Sequence, residues 1–435
     1  MTKTQRPITT TGGREATTRH IPGDFALAVG MPSTAAPAGW TWTQLTDIAR
    51  LESGHTPSRK HLEYWHGEIP WICLTDARPN HGQVIDDTTE HTNELGIANS
   101  SARLLPKNTV CLSRTASVGY VIVMGREMAT SQDFVNWVCS KNLDHHFLKY
   151  LLIAESGAFR RFSSGAVHQT IYFPEVKAFH ICHPPLSEQR RIVGILDEAF
   201  EGLATAKANA EQNLQNVRAL FESHLQAVFT RRGGGWVEKT LGDVCEFENG
   251  DRGKNYPNRN EYVESGIPWI NTGHIQRDGT LSESEMNFIS REKYESLRSG
   301  KIQPGDLVYC LRGATLGKTA LVDPYTVGAV ASSLVILRPS SALDSRFLYS
   351  FLTSPLGQGL IKGYENGAAQ PNLGAKSVAK YPISLPTLAE QKQIVAELDD
   401  LREETQRLES LYQRKLAALD ELKKSLLHRA FSGQL

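Results

Sequence analysis

Apolar and polar positions fall into two regimes along this chain, and each regime occurs twice. From Ile192 onward, apolar or small residues recur at alternating intervals of three and four: Ile192, Leu196, Ala199, Leu203, Ala206 and Ala210. After a one-residue slip they resume at Leu214, Val217, Phe221, Leu225 and Val228. That spacing is the seam of a coiled coil with a stutter. A second run carries Ile394, Leu398, Leu401, Leu408, Tyr412, Leu416, Leu419, Leu422 and Leu426. Each run predicts a helix of roughly 40 residues, about 60 Å at the usual rise per residue. Thr387-Leu388-Ala389-Glu390 fits a capping box, in which Thr and Glu satisfy each other's backbone donors. Gly233-Gly234-Gly235 and Gly433 are placed to end the two helices. One such helix alone would leave its seam in water. Two in one chain can bury each other, and antiparallel pairing would set the segments between them at opposite ends of a rod. The alternative is that each helix packs on its own neighbouring domain.

The other regime consists of short β-branched and aromatic runs bounded by turn residues. Val110–Ser113, Tyr120–Met124 and Phe134–Cys139 read as strands, and His146–Ala154 as a helix. Asp306–Leu311, Thr319–Val322, Leu334–Arg338 and Arg346–Thr353 repeat the series. Each half is therefore expected to be a mixed α+β domain, with the two halves related by a pseudo-two-fold. Residues 1–39, rich in Thr, Gly, Ala and Pro, read as a disordered tail. The expected organisation is a tail over 1–39, a domain over 40–185, a long helix over 186–232, a second domain over 233–386 and a second long helix over 387–435.

The halves also share residues. Ser187-Glu188-Gln189-Arg190-Arg191-Ile192-Val193 returns as Ala389-Glu390-Gln391-Lys392-Gln393-Ile394-Val395. Trp40, Leu45, Asp47 and Gly54 match Trp236, Leu241, Asp243 and Gly250, and Ile69-Pro70-Trp71-Ile72 matches Ile267-Pro268-Trp269-Ile270. Pro106, Val110, Arg114 and Gly119 match Pro304, Val308, Arg312 and Gly317. Phe147-Leu148 matches Phe347-Leu348, and Gly165-Ala166 matches Gly367-Ala368. A period of roughly 200 residues is too long for a solenoid and is the length of a whole domain. Two similar domains on one chain point to one task performed at two places.

Composition narrows the class. The chain has 435 residues, with 47 Lys and Arg against 47 Asp and Glu. Zero formal charge does not favour a free-standing nucleic-acid binder, although basic loops and a partner subunit can supply charge locally. No apolar run approaches the roughly 20 residues of a membrane helix, and the N-terminus lacks the apolar core of a signal peptide. Cysteines 73, 111, 139, 182, 245 and 310 are scattered with no C-x-x-C pair, against a metal ribbon or disulfide framework. A reducing cytoplasm is the simplest home.

Several fragments imitate catalytic motifs. Gly313-Ala314-Thr315-Leu316-Gly317-Lys318-Thr319 has three residues between its glycines where a phosphate loop needs four, and Gly119-Tyr120 in the first copy lacks the lysine. It reads better as a Gly-bounded turn between strands. Asp323-Pro324-Tyr325 resembles the loop of amino-methyltransferases but lacks one proline and any glycine-rich cofactor loop. His180, Cys182 and His183 have the wrong spacing for a tetrahedral metal site, and the second copy lacks them. No catalytic residues or metal ligands are expected.

The double occurrence of these pieces resembles the specificity (S) subunit of type I restriction–modification systems. The resemblance rests on Gly54-His55-Thr56-Pro57-Ser58, the Ile-Pro-Trp-Ile runs and the Arg-x-x-x-x-Gly turns. It rests also on Pro185-Leu186-Ser187-Glu188-Gln189 and, less closely, Pro386-Thr387-Leu388-Ala389-Glu390-Gln391 leading into the long helices. It covers about 40–435 and departs at Gly250-Asp251-Arg252-Gly253-Lys254, which replaces the Thr-Pro-Ser turn. It implies two target-recognition domains, each reading half of a split double-stranded DNA site, with paired helices whose length sets the unread spacer. It implies a non-catalytic subunit that docks two methyltransferase subunits and, through them, the restriction subunits. S-adenosylmethionine, ATP and Mg would then belong to the partners. The competing readings are a coiled-coil scaffold with two protein-binding heads and, through the Gly313 loop, a nucleotide-hydrolysing enzyme.

Phosphate contacts need Lys, Arg or backbone amides, and base reading favours Arg, Asn, Gln and Lys. Loop residues of those types are Arg59, Lys60, Arg78, His168 and Gln169 in the first half. In the second half they are Arg252, Lys254, Arg259, Asn271, Gln370 and Asn372. Each has a plain alternative as a solvated loop residue. Arg114 and Arg312 occur in both copies, so they suit phosphate contact or scaffold rather than base reading.

Overall fold

The computed structural model describes residues 15–165, 169–231, 234–364 and 372–435. The fold is α+β and divides into two compact units. Unit 1 comprises Met1–Asn209 with Lys415–Leu435, and unit 2 comprises Ala210–Arg414.

Unit 1 is organised on a five-stranded sheet in the order Ala49–Ser53, Phe134–Cys139, Val110–Ser113, Val121–Met124, Val84–Ile85. Unit 2 has Cys245–Asn249, Leu334–Pro339, Leu307–Cys310 and Thr319–Leu321 in the same relation. The expected strands and short helices form with ends shifted by at most one position, the helices being His145–Ala154 and Ser345–Thr353. These strands are apolar at nearly every position because both faces of each sheet are covered. Side chains alternate between faces along a strand. Val110, Leu112, Val121, Val123, Val135 and Trp137 enter one core, while Cys111, Ile122, Met124 and Phe134 enter another. In unit 2 Leu307, Tyr309, Val335 and Leu337 face one core, and Val308, Cys310, Leu334 and Ile336 the other. Gly54 and Gly250 recur because a Cβ there would lie 1.8 Å from the Ser131 carbonyl and 2.5 Å from the Ala331 carbonyl respectively.

The long helices are Leu186–Thr230 and Leu388–Phe431, and each gives one stretch to each unit. In unit 1, Ile192, Val193 and Leu196 of the central helix and Leu427, Ala430 and Phe431 of the C-terminal helix belong to the sheet's core. In unit 2 the corresponding roles fall to Val395 and Leu398 of the C-terminal helix and to Leu225 and Phe229 of the central one. Each unit is thus completed by the start of one helix and the end of the other. Phe431 meets Phe147 in unit 1, and Phe229 meets Phe347 in unit 2, both with ring centres 5.3 Å apart. Within each unit the helices run antiparallel. Arg191 reaches the Leu435 carbonyl and Lys207 pairs with Asp420 in unit 1, while Arg218 pairs with Glu409 and Arg402 lies over Phe221 in unit 2. Packing on the helix partner and packing on the domain therefore both occur, on different stretches.

Two details differ from expectation. Leu422, assigned to the seam, is 47% exposed, and Leu427 is buried instead. The last turns must turn Leu427, Ala430 and Phe431 toward the sheet, which rotates Leu422 outward. The capping box is half formed: Thr387 Oγ1 accepts the Glu390 N–H at 3.3 Å, but the Glu390 carboxylate accepts the Trp236 indole N–H at 2.9 Å. Gly235 and Gly433 have φ of +95° and +72° beyond the helix ends, a region that glycine enters freely. Gly233 lies outside the described residues.

The repeated Glu-Gln pair has a structural explanation in its glutamine. Gln189 is fully buried; its Oε1 accepts the Asp144 N–H at 2.9 Å, and its Nε2 donates to the Asn142 and Pro184 carbonyls at 3.2 and 2.9 Å. Gln391 repeats the set with Asp344 N–H at 2.8 Å and the Ala342 and Pro386 carbonyls at 3.0 Å. Asp144 and Asp344 in turn cap the short helix that lies on each sheet.

Residues 15–39, expected to belong to a disordered tail, are ordered. Ile21–Pro22 and Leu27–Val29 form a hairpin that pairs with Phe179–His183. Its turn is held by the buried Glu155 carboxylate, which accepts the N–H groups of Asp24, Phe25, Ala26 and Leu27 at 2.6–3.0 Å. Burial pushes the Glu155 carboxyl up from its ordinary pKa, and these amides oppose the shift. The compositional reading missed this arm because its acceptor lies far away in sequence. Among the described residues unit 2 has a two-stranded counterpart, Val237–Thr240 with Pro382–Leu385. Among the described residues no helix is long and apolar enough to cross a membrane.

Replacing Gln391 with Met should leave a buried amide and two carbonyls without partners, at a cost of about 2–4 kcal/mol. Thermal unfolding should fall accordingly, with hydrogen exchange rising around 342–348 and unchanged around 142–148. Glu155→Ala should free the hairpin, read as new proteolytic cleavage between residues 20 and 30 while the sheet stays protected.

Candidate nucleic-acid interface

In unit 2 three distant loops converge. Arg252 comes from the loop after Cys245–Asn249, Arg312 from the end of Leu307–Cys310, and Asn372 from the segment before the short helix Ala375–Val378. They line one cleft of about 590 Å³, together with Asn249, Ser299 and Lys376. Arg312 and Asn372 form a β-bridge, so their side chains are neighbours. The Arg312 guanidinium is exposed and has no partner among the described residues. Arg252 donates to the Ser332 carbonyl at 3.3 Å. No described residue lining the cleft is acidic. Such a cleft attracts an anion with spaced charges.

Asp251, outside the lining, orders the loop that carries Arg252. Its carboxylate accepts the Gly253 N–H at 2.7 Å and the Arg298 N–H at 2.9 Å, and the Arg298 and Gly253 amides hold its pKa below the ordinary 3.8. A depressed acid stabilises the fold above its unfolded pKa and stops doing so as pH falls through the folded value. The loop order is therefore constant through neutral pH and is lost only in acid below about 3.8.

Arg114 matches Arg312 in the sequence, but in the fold Leu311 holds its place: the Arg114 and Leu311 N–H groups bond the Asp133 and Ser333 carbonyls, and the Arg114 and Leu311 carbonyls accept the Ile171 and Leu373 N–H groups. The Arg114 guanidinium lies 4.8 Å from the Phe173 ring centre and donates to the Ile171 carbonyl at 3.4 Å. Its Nε is buried without a partner, and burial pulls its pKa down from the ordinary arginine value. The residue matching Phe173 in unit 2 is Ala375. Leu311 is buried there, and Arg312 stands one position further on, opposite Asn372 where unit 1 pairs Thr115 with Thr170, with its side chain exposed. Gln169 is adjacent to Arg114: its carbonyl accepts the Ala116 N–H at 3.1 Å, and its side chain bonds to Ser163 and to the Gly165 carbonyl.

The remaining residues are spread out. Arg59 lies on Trp65 beside Glu90, in a separate pocket of about 310 Å³. Lys60 and Arg78 are exposed, Arg78 just after the short helix Leu74–Ala77. Lys254 and Arg259 are exposed in unit 2, outside the cleft. Asn271 spends its side-chain oxygen on the Gly273 N–H at 2.8 Å, which makes it a cap rather than a free reader. His168 and Gln370 lie outside the described residues. Sequence reading missed Lys376, although it stands four residues after Asn372, and missed Trp65 and Glu90 around Arg59. The basic residue next to a chosen loop could have revealed Lys376; nothing local signals Glu90.

The catalytic look-alikes are occupied by their own backbone. Gly313–Thr315 is a 3-10 turn; the Gly317 N–H bonds the Cys310 carbonyl at 2.9 Å, and Lys318 Nζ donates to the Ile275 carbonyl at 3.3 Å. Tyr325 N–H closes a turn onto the Val322 carbonyl at 3.0 Å. His180 bonds the Ala178 carbonyl, His183 bonds Thr43, and Cys182 is buried.

A family model for the type I restriction modification DNA specificity domain matches the chain twice, over residues 37–215 and 233–415. The type I restriction enzyme MjaIX specificity subunit of Methanocaldococcus jannaschii is 26% identical over 337 residues, covering 73% of this chain and 76% of that protein. The EcoprrI specificity subunit of Escherichia coli is 21% identical over 378 residues, covering 82% and 86%. Among solved structures, a chain described under complex assembly and conformational transition of the type I R-M system has a TM-score of 0.73 at 20% identity, covering 92% of this chain and 100% of that one. The HsdS subunit from Thermoanaerobacter tengcongensis has a TM-score of 0.60 at 20% identity, covering 93% and 99%. The structures bear on the fold, and the twice-matched domain bears on descent. With its duplicated α+β domains and its two long helices, the chain belongs to the type I restriction–modification DNA specificity family.

Proposed function

We propose that this chain selects the DNA target of a type I restriction–modification complex, with each globular domain reading one half of a bipartite duplex site. Type I specificity subunits work in complex with other subunits. In this reading two methyltransferase subunits dock on the helices and bring S-adenosylmethionine. Restriction subunits join through them with ATP and Mg, and the complex acts in the cytoplasm. The chain's own task is recognition, not bond-making. The readers are assigned to residues 40–185 and 233–386, and the helices set the unread spacer.

The observation that carries the proposal is the convergence of Arg252, Arg312, Asn372 and Lys376 in a cleft free of described acidic side chains. Cationic donors from separate loops suit a phosphate backbone, and an adjacent amide suits a base edge. The same frame in unit 1 presents other side chains, as a reader of another sequence requires. The scaffold alternative is not favoured, because the matched family is a DNA specificity domain.

Reconstituting the chain with its methyltransferase subunits and mapping methylated adenines should give one motif of two short blocks with a fixed gap. Exchanging residues 40–183 for another such domain should change one block. A change in both blocks would refute independent readers, and the absence of any DNA preference would sink the proposal. Arg312→Ala should weaken binding to all duplexes alike and flatten the salt dependence by about one unit of slope, with an unchanged melting temperature. Arg114→Ala should instead lower the melting temperature by several degrees, since it removes a side chain packed on Phe173. The reverse pattern would exchange the roles given to these two arginines.

A further inference from the structure

The smaller pocket of unit 1 is built differently from the cleft of unit 2. Trp65 lines it, and Trp71 backs Trp65 edge to face with ring centres 5.0 Å apart. Both are buried, and both indole N–H groups are spent on backbone: Trp65 on the Ser58 carbonyl at 3.3 Å, Trp71 on the His55 carbonyl at 3.2 Å. The Arg59 guanidinium carbon lies 3.9 Å from the Trp65 ring centre and 5.0 Å from that of Trp71. The Glu90 carboxylate accepts from Arg59 Nη2, and the Glu90 main chain is anchored by the Trp71 backbone N–H, which donates to its carbonyl at 2.9 Å. Arg59 is thus held between the Trp65 ring and the Glu90 carboxylate while about half of its side chain stays exposed.

A surface Arg–Glu pair adds little stability and ordinarily samples several rotamers. Here the Trp65 ring and the Glu90 carboxylate both favour one rotamer. At the pocket's rim Leu62 is 74% exposed, and the non-glycine His66 has φ of +62°, in the left-handed region. An exposed leucine, a strained backbone and a fixed arginine around one pocket do nothing for the core. Such features gather where a ligand is met.

The donor set defines that ligand. Arg59 Nη2 gives one hydrogen to Glu90, and its second hydrogen, beside that of Nε or Nη1, leaves one two-donor edge of the guanidinium, a fork that matches O6 and N7 of guanine. The neighbouring Glu90 carboxylate accepts hydrogen bonds, which matches the N4 amino group of the paired cytosine. An arginine ordered beforehand loses little freedom on contact. We propose that Arg59, positioned by Trp65 and Glu90, reads a G·C pair through the major groove in the half-site of unit 1. This rests on the DNA-reading function proposed above and adds the base pair and the residues that read it. Unit 2 does not share the device: there Tyr256 meets the matching Trp269 edge to face at 5.3 Å.

The test uses the full chain in complex with its methyltransferase subunits and duplexes varied one pair at a time. The half-site of unit 1 should contain a G·C pair whose replacement by A·T weakens wild-type binding about tenfold or more. Arg59→Ala should bind both duplexes equally, keep full discrimination in the other half-site and melt like wild type. Arg59→Lys, which keeps the charge and loses the fork, should not restore discrimination. Glu90→Gln should reduce discrimination at the same position alone. Wild-type discrimination retained by Arg59→Ala at every position of that half-site would overturn the inference, as would equal weakening on all duplexes. A wild-type complex with no DNA preference would strike the underlying function instead.

Discussion

The buried glutamine at the start of each long helix is the contact on which the architecture turns. Gln189 and Gln391 each tie three backbone groups together: an amide and a carbonyl from the loop before the sheet-covering helix, and a carbonyl from the chain entering the long helix. A side chain that both donates and accepts is required, which a hydrocarbon or a carboxylate of that length is not. Leaving those groups unpaired in the interior would cost several times what the bonds contribute net. The latch fixes where each long helix leaves its domain, and so which face of the helix meets the sheet.

From that fixed departure the rest of each core follows. The start of one helix supplies Ile192, Val193 and Leu196 or Val395 and Leu398, and the end of the other supplies Phe431 or Phe229 against the same phenylalanine of the short helix. Neither domain closes its core with local sequence alone. Burying a large apolar side chain contributes about 1.5–3 kcal/mol, so these few residues make each domain dependent on both helices. A single copy would lack the residues that the end of the other helix supplies, Leu427, Ala430 and Phe431 in unit 1 and Leu225 and Phe229 in unit 2.

On this shared frame small substitutions redirect the exposed chemistry. Arg114 lies on Phe173, whereas Leu311 in its place is buried and Arg312, one position further on, is exposed. Trp65 with Glu90 holds an arginine in unit 1, where unit 2 holds Tyr256 on Trp269. The arm over Ile21–Val29 adds two strands to unit 1 alone. A common scaffold with divergent loops is how two readers on one chain come to differ in what they read.

The sequence by itself determined the duplication, the strand and helix types, the two long helices and the family. The element types follow from local periodicity, which backbone geometry imposes over a few residues at a time, and the duplication and the family resemblance follow from motifs that recur along the chain. Tertiary structure alone decided that residues 15–39 are ordered by Glu155, that Leu422 turns outward, and that Glu390 serves Trp236 rather than Thr387. It also decided that two arginines in matching sequence positions have different exposures. Each of these depends on a partner distant in the chain, and no periodicity records which distant side chain will fill a given place.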